Sequence, residues 1–137
     1  MRTMSVQQHQ EIAVVIEQYR RGFASMDAEE LKALWDQKYD QIIYIAQELA
    51  HPLRGWVEVE RYYQRIAGFI ERAATMQVRD VAVDIFGAVA YVSLSFHFEG
   101  EIKGQPHIAD GRVTFVLHVA NGTWKMVHYH ESRPGEF

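Results

Sequence analysis

The chain has 137 residues, of which 48% are hydrophobic and 23% are charged, so we expect one globular domain over residues 1–137. Its formal net charge of -4 and its lack of basic runs argue against nucleic-acid binding, which needs clustered lysine and arginine. The absence of cysteine excludes disulfides and thiolate ligands. No apolar run has the length of a membrane span or the form of a signal sequence, so we expect a cytoplasmic protein without membrane contact.

Helical periodicity dominates the first third of the sequence. Apolar side chains recur every three or four positions over residues 12–26, which predicts a long first helix with one buried stripe. Asp27 followed by Glu30 has the spacing of a capping box and predicts the start of a short second helix. Residues 42–46 are β-branched and aromatic, which indicates a strand, and helical spacing returns over residues 59–70 for a third helix.

After the third helix the hydrophobic pattern changes from helical spacing to strict alternation. This alternation predicts four strands over residues 77–86, 88–99, 112–120 and 123–132, with a polar loop between the second and the third. Asn121-Gly122 predicts a type I′ hairpin between the last two strands, because both central residues of that turn need positive φ. Helices followed by a meandering antiparallel sheet indicate an α+β fold with three N-terminal helices packed on one sheet face.

The predicted register of the last hairpin follows from counting outward from its turn. One face then carries Phe115 opposite His128 and Val113 opposite His130. That face is the more apolar, so we predict that both histidines point toward the helices and the core. The other face is mixed and poor in charge at its centre, which indicates a subunit interface, although a solvated face is ordinary in antiparallel sheets.

Helices followed by a sheet that ends in the run 122–133 resemble the SnoaL-like branch of the nuclear transport factor 2-like superfamily. Within that run, the turn glycine, Trp124, His128, His130 and Ser132 are most similar to the association domain of calmodulin-dependent protein kinase and its bacterial relatives. The resemblance implies a cone, in which a strongly curved sheet wraps round the first helix and leaves a hollow at one end. It also implies that two copies pair through their sheets as a homodimer.

The ketosteroid isomerases and polyketide cyclases of this superfamily carry an aspartate base in the segment before the third helix. Here the segment reads YIAQELAHPLRG, with Ala46 or Gln47 near the position of the acid and Glu48 as the nearest carboxylate. This departure argues against isomerase or cyclase chemistry of that kind. A dehydratase-type arrangement stays open, and its residue types are present without diagnostic spacing in His107, Asp110, His128, Tyr44 and Tyr62.

The implied hollow defines the candidate site residues. A buried imidazole stays neutral near pH 7, because desolvation disfavours its charged form, and it can then act as a general base. We therefore consider His128 as the base, with His130 or Tyr44 as its polar partner, acting on a small apolar or aromatic molecule. The predicted ligand-binding residues are Trp35, Trp56, Tyr63, Phe115, Arg112 and Glu131, and the predicted hairpin register places the last two opposite each other.

Structural roles for the same residues stay open. His128 is equally compatible with a hydrogen-bonded core residue, and the aromatic side chains are compatible with plain core packing. We expect no metal, because the predicted cross-strand neighbours of His128 and His130 are apolar, and no cofactor, because no dinucleotide or phosphate motif is present. The missing acid at positions 46–47 favours a non-catalytic small-molecule-binding or assembly module, with a lyase or isomerase as the alternative.

Overall fold

The computed structural model describes residues 2–70 and 72–137, with side chains for residues 6–70 and 75–137. Within these residues, three helices pack on one face of an open, curved sheet of six strands, so the predicted α+β class is confirmed. The helices are α1 (Arg2–Ser25), α2 (Ala28–Lys32) and α3 (Trp56–Phe69). The strands are β1 (Ile43–Ile45), β2 (Leu53–Arg54), β3 (Arg72–Phe86), β4 (Val89–Ile102), β5 (Gln105–Ala120) and β6 (Thr123–Ser132). None of the described helices is long and apolar enough to cross a bilayer.

Helix α1 packs on the inner face of the sheet through its predicted apolar stripe. Ile12 and Tyr19 are fully buried, and the Tyr19 ring lies 5.7 Å from the ring of Phe115 on β5. Fully burying one large apolar side chain stabilises the fold by about 1.5–3 kcal/mol, so this stripe fixes the helix against the sheet.

Helix α1 ends and α2 begins through a tight reversal of the chain. Met26 adopts a positive φ of 48°, and the side chain of Asp27 accepts a hydrogen bond of 3.2 Å from the Glu30 amide. The predicted cap of α2 is thereby confirmed. The reversal brings the two helices so close that a Cβ atom at Gly22 would lie 2.7 Å from Cδ2 of Leu31.

Replacing Gly22 with alanine should destabilise the protein despite the higher helix propensity of alanine. Alanine is favoured in a helix by about 1 kcal/mol, but overpacking against the fully buried Leu31 costs about 1–3 kcal/mol. We expect a net loss of up to about 2 kcal/mol in the free energy of unfolding, measured by urea denaturation. Gly68 of α3 is the matched control, because nothing lies within 4 Å of its added Cβ. Gly68→Ala should leave stability unchanged or raise it, and equal losses in both variants would contradict the close approach.

The strand order is β2-β1-β6-β5-β4-β3, and one neighbouring pair runs parallel. Strands β3 to β6 form an antiparallel meander, whereas the short β1 lies parallel to β6 and pairs Tyr44 with Tyr129. This crossover connection brings residues from before α3 beside the last strand. The candidate site is built at this junction.

Two tight turns connect the last three strands. Asn121 and Gly122 have φ values of 52° and 78°, which confirms the predicted type I′ hairpin. The polar loop predicted over residues 99–111 is wrong, because Lys103 and Gly104 form a second turn with φ values of 50° and 75° and the flanking residues pair as strands. The first residues of β5 are largely solvent-exposed and the last residues of β4 are mostly half-buried, so the side chains of these strand ends carry no hydrophobic alternation that would predict them.

The register of β6 departs from the predicted one at Val127. The pairing matches the prediction as far as Met126, then skips one residue, so that Val116 pairs with His128 and Phe115 pairs with Tyr129. Such a β-bulge reverses the facing of every later residue in the strand, because side chains alternate between the two faces.

The predicted inward orientation of His128 and His130 is therefore wrong. Tyr129 is buried in the core and Glu131, half-buried, pairs with Val113, whereas the two histidines lie on the outer face. An unbroken ladder would place two imidazoles against apolar side chains, where a polar group without a hydrogen bond is costly. The bulge instead buries Tyr129, whose hydroxyl forms hydrogen bonds with Tyr19 and Glu131.

Candidate functional site

A chain of hydrogen bonds runs from the middle of α1 to the end of β6, and we call it the tyrosine–glutamate chain. The Tyr129 hydroxyl donates to Glu131 Oε2 at 2.8 Å. Because its single proton is used there, the Tyr19 hydroxyl donates to Tyr129 at 3.0 Å. Burial raises the pKa of both tyrosines well above the ordinary value, so both remain protonated donors.

The Glu131 carboxyl is the half-buried end of the tyrosine–glutamate chain. Burial raises its pKa to about 7, the backbone amide of Gln47 opposes the shift, and the negative charge of Glu48 adds to it. The Gln47 amide donates to Glu131 Oε1 at 3.1 Å, so each carboxyl oxygen is held by a separate donor. A carboxyl with this pKa exchanges its proton readily at neutral pH, which is the property of a general acid or base.

A second carboxylate, Glu48, lies in the segment between β1 and β2. The buried Tyr62 hydroxyl of α3 donates to Glu48, whose own side chain is exposed to solvent. Burial raises the pKa of Tyr62, and the charge of Glu48 raises it further, so Tyr62 stays a neutral donor. The two carboxyl groups thus have contrasting environments, and such contrast separates acid from base in many active sites.

The side chain of Gln47, two residues after β1, bonds to β5 and to the residue that follows β6. Its Oε1 accepts a hydrogen bond of 2.8 Å from Arg133 Nε, and its Nε2 donates to the Asp110 carbonyl at 3.5 Å. Gly111 makes room for this arrangement, because a Cβ there would lie 2.4 Å from the Phe96 ring and 3.0 Å from Gln47 Nε2. The segment that holds Glu131 is therefore fixed from two sides.

Five tyrosines form the aromatic floor beneath Glu131. Tyr44 and Tyr129 pair on neighbouring parallel strands, and their ring centroids lie 4.4 Å apart with an angle of 9° between the ring planes. The Tyr63 hydroxyl accepts a hydrogen bond of 3.0 Å from Trp35 Nε1. The floor consists of Tyr19, Tyr44, Tyr62, Tyr63 and Tyr129.

The predicted ligand-binding residues occupy three different environments. Trp35, Tyr63 and Phe115 are at most 2% exposed and pack as core side chains. Trp56 is half-buried at the first position of α3. Arg112 and Glu131 were predicted to face each other, but the bulge separates them. Glu131 lies on the inner face, whereas Arg112 is exposed and pairs with Ser132.

The predicted catalytic residues do not meet in one place. Tyr44 is buried on the inner face, while His128 and His130 lie on the outer face. Burial lowers the pKa of the half-buried His128, and the charge of His130 lowers it further. Their catalytic role stays a prediction, but the two imidazoles do not lie on the inner face, where that prediction placed them.

The sequence pattern does not identify Tyr19 or Tyr129 as functional candidates, and it includes Glu131 as a ligand-binding residue opposite Arg112. One signal was available in the residue types. An unbroken register buries His128 and His130 without partners, whereas a shift of one residue buries a tyrosine, and the second arrangement costs less free energy.

Comparison with known families identifies the kind of domain. The sequence profile of the SnoaL-like domain family matches residues 6–136. No curated protein matches the chain. Similarity to solved structures extends over nearly the whole fold.

Three solved structures illustrate this similarity. A proposed scytalone dehydratase from Novosphingobium aromaticivorans is 14% identical with a TM-score of 0.84, over 98% of this chain and 89% of the other. A nuclear transport factor 2-like protein from Salmonella enterica is 22% identical with a TM-score of 0.77, over 98% and 94%. A proposed calcium/calmodulin-dependent protein kinase II association domain from Xanthomonas campestris is 16% identical with a TM-score of 0.76, over 93% and 88%. At these identities the similarity shows the shared cone fold.

Proposed function

The chain belongs to the SnoaL-like domain family, and we propose that it binds a small molecule at the end of β6 and performs acid–base chemistry there. The observation that carries this proposal is the tyrosine–glutamate chain, which ends at a half-buried carboxyl with a pKa of about 7. A solved relative of the same fold is a proposed dehydratase, so a lyase or isomerase is the reaction class that we favour.

Glu131 and Glu48 take complementary roles in the proposed reaction. Glu48, exposed and held by Tyr62, accepts a proton from a carbon next to a carbonyl group. Glu131, in its protonated form, donates a hydrogen bond or a proton to oxygen. In an elimination, the carbon–oxygen bond breaks and the leaving hydroxyl takes the proton of Glu131 to depart as water; in an isomerisation, the carbonyl oxygen receives the hydrogen bond.

Deuterium exchange tests the proposed function without knowledge of the natural substrate. The protein is incubated in D₂O with a set of small β-hydroxy ketones, and mass spectrometry follows deuterium at the carbon and loss of water. We expect exchange or elimination with the wild type and none with Glu131→Gln, while the outer-face variant His128→Asn retains it. Equal turnover by Glu131→Gln would contradict the proposed role of this carboxyl.

We further propose that the chain forms a homodimer through the outer face of its sheet. Exposed apolar side chains support this proposal: Phe86, Val89 and Tyr91 are 63%, 44% and 38% exposed. Interfaces are depleted of charge at their centre and enriched in aromatic residues, and this face has both properties. A non-catalytic assembly module is the second candidate function, and the close packing of Trp35 and Phe115 in the interior favours it.

The proposed dimer should weaken as the pH falls. The bulge turns His128 and His130 to the outer face, where the proposed interface would cover them, and no carboxylate in the described residues is paired with either imidazole. A histidine whose pKa is lowered by burial prefers its neutral form, and further burial on association strengthens this preference, so protonation opposes association. The outer face also carries Arg112 and Lys125, Arg79 and Asp84 of β3, His118 bonded to Asp36, and His97 bonded to Asp110 and Glu99.

Analytical ultracentrifugation at about pH 7.5 and about pH 5.5 measures this effect. We expect the dimer dissociation constant to rise about 10-fold or more at the lower pH, because one pKa unit of difference corresponds to about 1.4 kcal/mol. The double variant His128→Gln/His130→Gln should lose this pH dependence. A monomer at both pH values would contradict the dimer itself, whereas an unchanged dimer would contradict the role of the histidines.

A further inference from the structure

A surface groove of about 350 Å³ lies between α1 and the start of β6. Its floor is apolar and consists of Val15, Leu34 and Trp124, all of which are at most 9% exposed. Val14 forms one wall and is 67% exposed. The volume falls within the range of about 300–1,000 Å³ found for small-molecule sites.

The groove is distinct from the candidate site at Glu131. Trp124 and Glu131 are seven positions apart on β6, which corresponds to about 23 Å along an extended strand. The groove therefore lies near the opposite end of β6 and does not depend on the proposed acid–base function.

Three hydrogen bonds connect the walls of the groove and hold it open. The Met126 amide donates to the Leu34 carbonyl at 2.8 Å, and Gln18 Nε2 of α1 donates to the Glu30 carbonyl at 3.0 Å. Lys125 Nζ donates to the Ala33 carbonyl at 2.7 Å. A groove fixed in this way does not need reorganisation when a ligand binds, which lowers the free-energy cost of binding.

Two charged side chains, Glu11 and Lys125, line the rim of the groove, and only one of them is already engaged by a neighbouring group. The ammonium group of Lys125 is engaged by the Ala33 carbonyl at the end of α2. Glu11, which shares its helix face with Val14, Val15 and Gln18, is exposed and has no ion-pair partner among the described residues. Lys125 keeps its positive charge in this bond, but its ammonium group is held against the Ala33 carbonyl, so Glu11 is the charged rim side chain that is free to pair with a ligand.

We propose that this groove is a binding site for a small amphiphilic cation with an apolar or aromatic body and an ammonium group. The body lies against Val15, Leu34 and Trp124, and the ammonium group pairs with the carboxylate of Glu11. This arrangement matches the typical small-molecule site, in which an apolar lining supplies affinity and a single polar group sets orientation.

Titration with three probes of the same shape tests the proposal. The probes are 2-phenylethylammonium, 2-phenylethanol and 3-phenylpropanoate, and the signal is the NMR shift of the assigned Trp124 indole. We expect saturable binding, tightest for the ammonium probe. Glu11→Gln should weaken its binding by about 2- to 5-fold, the range of an exposed ion pair, and leave 2-phenylethanol unchanged.

Two further variants distinguish probe binding in the groove from a general effect of the substitution or of the change in net charge. Val14→Ser should weaken all three probes, because it removes an exposed apolar wall without disturbing the core. Glu17→Gln is the matched charge control, since Glu17 lies on the same helix but pairs with Arg20 and does not line the groove. Binding without charge preference, preference for the carboxylate probe, no saturable shift at Trp124, or an equal effect of Glu17→Gln would each overturn the proposal.

Discussion

Glu131→Gln should gain stability relative to the wild type as the pH is raised from about 4 to about 8. The pKa of Glu131 is about 7 in the folded protein against 4.5 as its ordinary value. Between these two values the unfolded chain loses its proton while the folded chain keeps it. The wild type therefore loses stability as the pH rises through this window, whereas glutamine has no proton to lose.

The expected pH-dependent difference is about 1–3 kcal/mol in the free energy of unfolding, because one pKa unit corresponds to about 1.4 kcal/mol and the side chain is only half-buried. Urea denaturation of both proteins at the two pH values measures it. Contacts that glutamine loses at both pH values cancel in this comparison. Glu136→Gln in the exposed tail is the charge-matched control and should show no such trend. A difference that is constant, or that grows toward acid pH, would be incompatible with a buried neutral carboxyl.

Tyr129→Ala should destabilise the protein far more than His128→Ala, although the two residues are adjacent. Tyr129 is fully buried, stacks on Tyr44, and bonds to Tyr19 and Glu131. Truncating a buried aromatic side chain to alanine costs about 3–5 kcal/mol, because both packing and a filled volume are lost. His128 lies on the outer face, so its truncation should change the free energy of unfolding by about 0–1 kcal/mol.

The comparison of adjacent residues serves as its own control, because both variants alter the same stretch of β6. Tyr129→Phe gives a milder form of the test and should cost about 1–2 kcal/mol, since Glu131 and Tyr19 each lose a hydrogen-bond partner. Thermal or urea unfolding of the purified variants measures these changes in the free energy of unfolding. A larger loss for His128→Ala than for Tyr129→Ala would indicate the unbroken register and contradict the bulge.

Features set by neighbouring residues were predictable from the sequence. The cap of α2 depends on Asp27 and Glu30, three positions apart, and the last hairpin depends on Asn121-Gly122. The buried stripe of α1 follows from helical spacing alone. Each of these signals is complete within a few residues, so no knowledge of the distant fold was needed.

The bulge at Val127 was not predictable in the same way, because it results from competition between two faces of the whole sheet. The alternation of apolar and polar residues from Trp124 onward is compatible with both registers, with or without the extra residue. Which register is adopted depends on Tyr19 and Tyr44, which lie far away in sequence and contact Tyr129 through a hydrogen bond and a ring stack. The parallel pairing of β1 with β6 is likewise a property of the assembled fold.

The position of Glu131 in the candidate site also depends on the bulge. Glu131 was predicted to lie near a ligand because it was placed opposite Arg112, but Arg112 lies on the other face and contacts Ser132. The carboxyl instead belongs to a set of tyrosines that no spacing in the sequence connects. Its unusual pKa arises from burial, which only the folded arrangement defines.

The orientation of the candidate site depends on which way β6 faces, and side-chain NOEs in the NMR spectrum measure that facing. We predict NOEs from the Tyr129 ring to the rings of Tyr44 and Tyr19, whose centroids lie 4.4 Å and 6.1 Å away. We predict none from the His128 ring to Phe115. NOEs between His128 and Phe115, with the Tyr129 ring free of Tyr44, would show an unbroken ladder and contradict the account.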